Sequence, residues 1–128
     1  MRIGQALIAL VGLFDTGAGA ALLLAPQWFF DTLANFPPFN RHYAGDVGAF
    51  LLPVGLGLLV AARDPVRYRA VLVLGLAASW IHGANHALDG IQHAGEGSAS
   101  LLDAANILGM AAILTVGAAL TWRARRST

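Results

Sequence analysis

The chain has 128 residues, of which 57% are hydrophobic and only 12% are charged. A soluble domain usually carries about a quarter charged residues, so this composition disfavours a soluble fold and predicts a membrane protein. The formal net charge of +1 is too small to indicate nucleic acid as a partner, and the absence of cysteine excludes disulfides, thiolate catalysis and thiolate metal ligands.

Four apolar runs, separated by turn-forming residues, predict four membrane-spanning helices in a single all-α domain. Each run has about 20 residues, which is enough to cross about 30 Å of hydrocarbon. None carries the charged outer face that a helix of a soluble bundle needs. The predicted spans are roughly residues 3–25, 43–62, 68–88 and 101–122 of an integral membrane four-helix bundle that covers residues 1–128.

The arginines predict how the bundle is oriented. All eight basic residues are arginine, and seven of them lie before span one, between spans two and three, or after span four. Only Arg41 lies on the other side. Cytoplasmic segments are enriched in basic residues, so we expect both termini in the cytoplasm and the first and third loops outside. The lipid bilayer is the expected partner, because the guanidinium group binds phosphate head groups well.

Span three carries the sharpest polar pattern in the sequence. His82, His86, Asp89 and His93 follow the spacing i, i+4, i+7 and i+11, which places them in one stripe of a helix. Asn85 lies beside this stripe. The predicted topology puts the whole stripe in the outer half of the protein, where charged and polar side chains are expected to face the bundle interior.

Other helices carry polar residues toward the same outer end. Asp46 begins span two and Asp103 begins span four, so three helices could bring carboxylates and histidines together. Asp15 lies near the middle of span one, where it also interrupts the apolar core that a cleavable signal peptide would need. The complete candidate pocket comprises His82, His86, Asp89 and Asp46, with His42, Asn85, Asp103, Asn106 and Asp15 around them.

Three interpretations of this pocket remain open. The polar side chains could only bond helices together, as in a structural or accessory subunit, with each link contributing about 1 kcal/mol. They could bind a transition-metal ion or haem, because two histidines four residues apart present both rings to one ion and Asp89 or Asp46 could complete the site. They could also relay protons in a small proton-coupled transporter. Acid–base catalysis is not separable from the metal interpretation, so an enzymatic activity stays undecided.

Small residues predict close packing of the spans. Gly45, Gly48, Gly55 and Gly57 lie in span two, where they let neighbouring helices approach. Pro53 in the same span removes one backbone hydrogen bond and predicts a kink. The glycine-rich faces also allow a homodimer or a larger membrane complex, and the sequence does not select between these states.

The layout resembles a group of small bacterial membrane proteins. The segment 19–26 is rich in alanine and leucine and ends in Pro26, the segment 40–50 contains Asn-Arg-His-Tyr-Ala-Gly-Asp, and the histidine stripe follows in span three. This pattern is similar to the four-span proteins grouped as DoxX-like. The resemblance implies a multi-pass protein of the bacterial plasma membrane. If the group shares a site, the matching positions are His42, Asp46, His82, His86 and Asp89.

Overall fold

A computed structural model of the chain describes residues 2–33, 38–92 and 99–126. These residues form helices and no strand. The helices are α1 (Ile3–Leu24), α2 (Pro26–Thr32), α3 (Arg41–Arg63), α4 (Arg69–Gln92) and α5 (Ala99–Arg126). Four of them, α1, α3, α4 and α5, are long and apolar enough to cross a membrane. The protein is thus an all-helical bundle with the composition of a multi-pass membrane protein.

The first and third helices make the closest contact in the bundle. A methyl group on Gly55 of α3 would collide with the backbone nitrogen of Thr16 in α1, and one on Gly19 would lie 2.8 Å from the Cα atom of Leu52. Such distances leave no room for a side chain. The two backbones therefore touch along most of their length, and α3 is held in place by α1.

The fifth helix packs on α1 by the same means. A methyl carbon on Gly4 would lie 2.7 Å from the carbonyl oxygen of Gly117. The core between these helices is apolar, with Ile8, Val11 and Leu114 fully or almost fully buried. In turn α4 packs on α5, where Gly83 faces Leu108. The order of helices around the bundle is therefore α3, α1, α5, α4.

Both chain ends lie at one end of the bundle, which we call the arginine end. There the Gln5 side chain donates a hydrogen bond of 3.1 Å to the backbone oxygen of Arg63, and the guanidinium group of Arg69 lies 5.4 Å from the Trp122 ring centre. Asp64 accepts hydrogen bonds from the backbone of Val66 and Arg67 and closes the turn between α3 and α4.

The opposite end, which we call the α2 end, contains a short helix that the sequence pattern did not predict. Pro26 occupies the first turn of α2, a position that its fixed φ angle favours. The exposed Trp28 lies on this helix, as an aromatic residue at a membrane interface would. Asn40 then caps α3 by accepting a hydrogen bond from the backbone nitrogen of Tyr43 at 3.1 Å.

The contact between α1 and α3 predicts which glycine tolerates a side chain. Gly55→Ala should lower the free energy of unfolding by about 1–3 kcal/mol, because the added methyl group forces the two backbones apart. Gly17→Ala is the matched control on α1, since no atom lies within 4 Å of its added methyl carbon. Denaturation in mixed micelles, followed by circular dichroism, measures both. Equal stability of the two variants would contradict the close contact.

Candidate functional site

A cavity of about 360 Å³ lies in the half of the bundle toward the α2 end, between α3 and α4. It forms because these two helices meet only in the other half, where Gly75 faces Leu58 and Gly57 faces Val71. Residues of α1 form its floor. Its wall reaches the protein surface at Tyr43 and Phe50, whose side chains are 67% and 78% exposed.

The polar residues that line the cavity come from three helices. Asp15 is the contribution of α1 and Asp46 that of α3, while α4 supplies Ser79, His82, Asn85 and His86. The sequence analysis had singled out all of these except Ser79. Since Ser79 precedes His82 by three residues, helical periodicity alone could have placed it on the same face.

The two histidines of α4 are bonded to each other. Their Nε2 atoms are 3.1 Å apart, and the rings meet edge to face with centres 4.8 Å apart. A hydrogen bond between two imidazole nitrogens needs one donor and one acceptor, so at least one of the rings is neutral. His82 and His86 are both half-buried and act as one polar unit on the cavity wall.

Asp15 is the most enclosed polar side chain of the cavity, with only 8% of its surface exposed. Within the described part of the chain, no residue donates a hydrogen bond to its carboxyl group or forms an ion pair with it. The neighbouring Thr16 hydroxyl donates instead to the backbone oxygen of Gly12 at 2.6 Å. Asp15 therefore directs a carboxyl group without a protein partner toward the cavity.

Asp15 and His82 lie at similar depth. Leu24 ends α1 nine residues after Asp15, and Gln92 ends α4 ten residues after His82. At 1.5 Å per residue both side chains lie about 14–15 Å from the ends of their helices. The polar floor of the cavity is therefore near the middle of the bundle, and Asp46, close to the start of α3, is nearer its mouth.

Several predicted pocket residues do not line the cavity. His42 lies 3.5 Å from Asp46 between Nε2 and Oδ2, and both side chains are largely exposed. Asp89 accepts a hydrogen bond of 3.4 Å from the Asn85 side chain. Asp103 and Asn106 are on α5, which instead contributes Ile107 and Met110 to the wall. His93 lies outside the described residues.

The remaining wall is apolar and has no basic residue other than histidine. Aromatic rings come from Phe14, Tyr43 and Phe50, and aliphatic side chains come from all four long helices. No arginine is among the lining residues, although the chain has eight. The cavity combines two carboxyl groups, a histidine pair and aromatic walls.

The described residues contain no group of three or more histidine, cysteine, aspartate or glutamate side chains placed to hold a metal ion. The histidine pair has a geometry of its own, however. Two nitrogen ligands at 2.0–2.1 Å from a tetrahedral ion are about 3.3 Å apart, close to the 3.1 Å between the two Nε2 atoms. The pair could supply two ligands, and a third would have to come from elsewhere.

Comparisons with known proteins leave the site to be interpreted from its own geometry. No family model, curated protein or solved structure matches the chain.

Asp15 predicts a conflict between stability and the site. Replacing it by leucine should raise the free energy of unfolding by about 1 kcal/mol or more, because a buried polar group without a partner is removed. Asp64→Ala is the contrasting control and should lower stability, since Asp64 accepts two backbone hydrogen bonds. Denaturation in mixed micelles measures both variants. A loss of stability in Asp15→Leu as large as in Asp64→Ala would show that Asp15 serves folding.

Proposed function

We propose that this protein is a multi-pass protein of a bacterial plasma membrane, with both termini in the cytoplasm, that binds a small ligand in the cavity between α3 and α4. The observation that carries the proposal is Asp15. A buried carboxyl group in a membrane helix is costly and is retained where it has a task. Here it has no partner among the described residues, and it lines a cavity.

The size and chemistry of the cavity support ligand binding. Small-molecule sites usually enclose about 300–1,000 Å³ and combine apolar walls with a few polar groups. The cavity, at about 360 Å³, has the lower part of that range and the same mixture. A purely structural role explains it less well, because helix-bonding side chains satisfy one another and Asp15 does not.

The distribution of charge supports the orientation. Arg2, Arg63, Arg67, Arg69 and Arg123 belong to the arginine end, which is the cytoplasmic side by the positive-inside rule. The cavity then opens toward the outer face. The similarity of the layout to DoxX-like proteins supports the assignment to a bacterial plasma membrane.

Cysteine labelling tests the cavity cleanly, because the chain has no native cysteine. Ser79→Cys places a thiol in the cavity wall, and Ala77→Cys places one on the exposed face of the same helix. A thiol in hydrocarbon does not ionise, and only the thiolate reacts. We expect a membrane-impermeant cationic methanethiosulfonate reagent, added outside intact cells, to modify Ser79→Cys and leave Ala77→Cys unmodified.

Two outcomes would contradict the proposal in different ways. If Ser79→Cys is as unreactive as Ala77→Cys from both sides of the membrane, the cavity does not admit a solute and the binding function fails. If Ser79→Cys reacts only in inside-out vesicles, the cavity stands and the orientation is wrong. Reagent access to Asp31→Cys, on the exposed surface of α2, calibrates the outer side.

The distance between the two histidines supports a second candidate, a transition-metal ion or haem iron held in the cavity. Protein purified in mild detergent should then contain about one metal ion per chain by elemental analysis or show haem absorbance. A His82→Ala/His86→Ala variant should lose it. His42→Ala is the control, because this histidine is 90% exposed and does not line the cavity. Wild-type protein without metal or haem would exclude this candidate.

A further inference from the structure

The cavity contains negative charge without a compensating cation. The carboxyl group of Asp15 is more than nine-tenths buried, and neither an arginine nor a lysine lines the cavity. The other carboxyl group of the wall, Asp46, has His42 as a neighbour outside the cavity. Since a buried carboxylate is costly without an opposite charge, the compensating positive charge has to be brought by the ligand.

The aromatic rings of the wall fit the same kind of ligand. Phe14, Tyr43 and Phe50 come from α1 and α3 and line the cavity with Asp15. The faces of aromatic rings attract organic cations, most strongly where water is excluded. The exposed Phe50 marks the side on which the cavity meets the surface between α3 and α4, where an apolar ligand could leave the lipid.

We infer that the ligand is a lipophilic organic cation, an ammonium group on an apolar body, whose charge is held by the carboxylate of Asp15. The inference rests on the proposed binding function and names the class of its ligand. The volume of about 360 Å³ corresponds to roughly 12 water molecules at about 30 Å³ each, so the enclosed part of the ligand is small. The histidine pair accepts or donates hydrogen bonds beside it.

A pair of isosteric probes separates charge from shape. Benzyltrimethylammonium carries the cation on a small aromatic body, and neopentylbenzene has the same shape without the charge. Calorimetric titration would use the full chain in nanodiscs of zwitterionic phosphatidylcholine, with empty nanodiscs as the blank. We expect the wild-type protein to bind the cation at least about tenfold more tightly than the neutral probe, because only the cation pairs with Asp15.

Variants at Asp15 test the assigned residue. Asp15→Asn should weaken binding of the cation at least about tenfold while leaving the neutral probe unaffected, and Asp15→Glu should retain binding because it keeps the charge. Asp31→Asn is the matched control, since this carboxylate lies exposed on α2 and bonds to Gln27. Elution of all variants at the wild-type volume in size-exclusion chromatography ensures that folded proteins are compared.

The outcomes distinguish this inference from the proposed function. Equal affinity for the two probes, or an undiminished affinity for the cation in Asp15→Asn, overturns the cation inference and leaves a cavity that binds apolar molecules. Failure of wild-type protein to bind the cation at all also overturns it. If Ser79→Cys is unreactive as well, the proposed binding function itself falls.

Discussion

The approach of two backbones determines most of what this bundle can do. Helices α1 and α3 touch at Gly19 and Gly55 without intervening side chains, and this contact fixes both their distance and their rotation. Because lipid offers no hydrophobic driving force between helices, such close van der Waals packing is a main source of association in a membrane. The rotation of α1 that satisfies the contact also turns Asp15 toward α4.

The site follows from an unequal distribution of contact around the bundle. Helix α3 packs along α1, and α4 packs along α5, but α3 and α4 meet only toward the arginine end. The resulting gap separates a wall rich in aromatic rings on α3 from a wall with two histidines on α4. The polar residues are therefore placed by the backbone contacts of other residues, rather than by bonds among themselves.

The sequence predicted the features that depend on hydropathy and helical period. Four long apolar runs were enough to identify the membrane-spanning helices, because a helix of that length has few other environments. The period of 3.6 residues also grouped His82 with His86 correctly, since neighbours four apart share a face whatever the tertiary packing. The short helix after Pro26 was missed, although proline in a first helical turn is a recognisable signal.

The rest of the site depended on how each helix is rotated about its axis, which one sequence does not determine. Asp89 belongs to the same stripe as His82 but lies beyond the cavity, bonded to Asn85. Asp103 was expected in the pocket, yet α5 presents Ile107 and Met110 there. Conversely, the weight of Asp15 became visible only once the structure showed that no described neighbour satisfies it.

The glycine contacts also make the bundle mechanically unequal. The α1–α3 pair cannot slide or separate without breaking backbone contact, and Gly4 against Gly117 fastens α5 to α1 at the arginine end. The remaining freedom is a tilt of the α4–α5 pair about that end, with the turn at residues 63–69 as its hinge. A guest larger than the cavity can thus be accommodated only by such a tilt, which leaves the floor that carries Asp15 undisturbed.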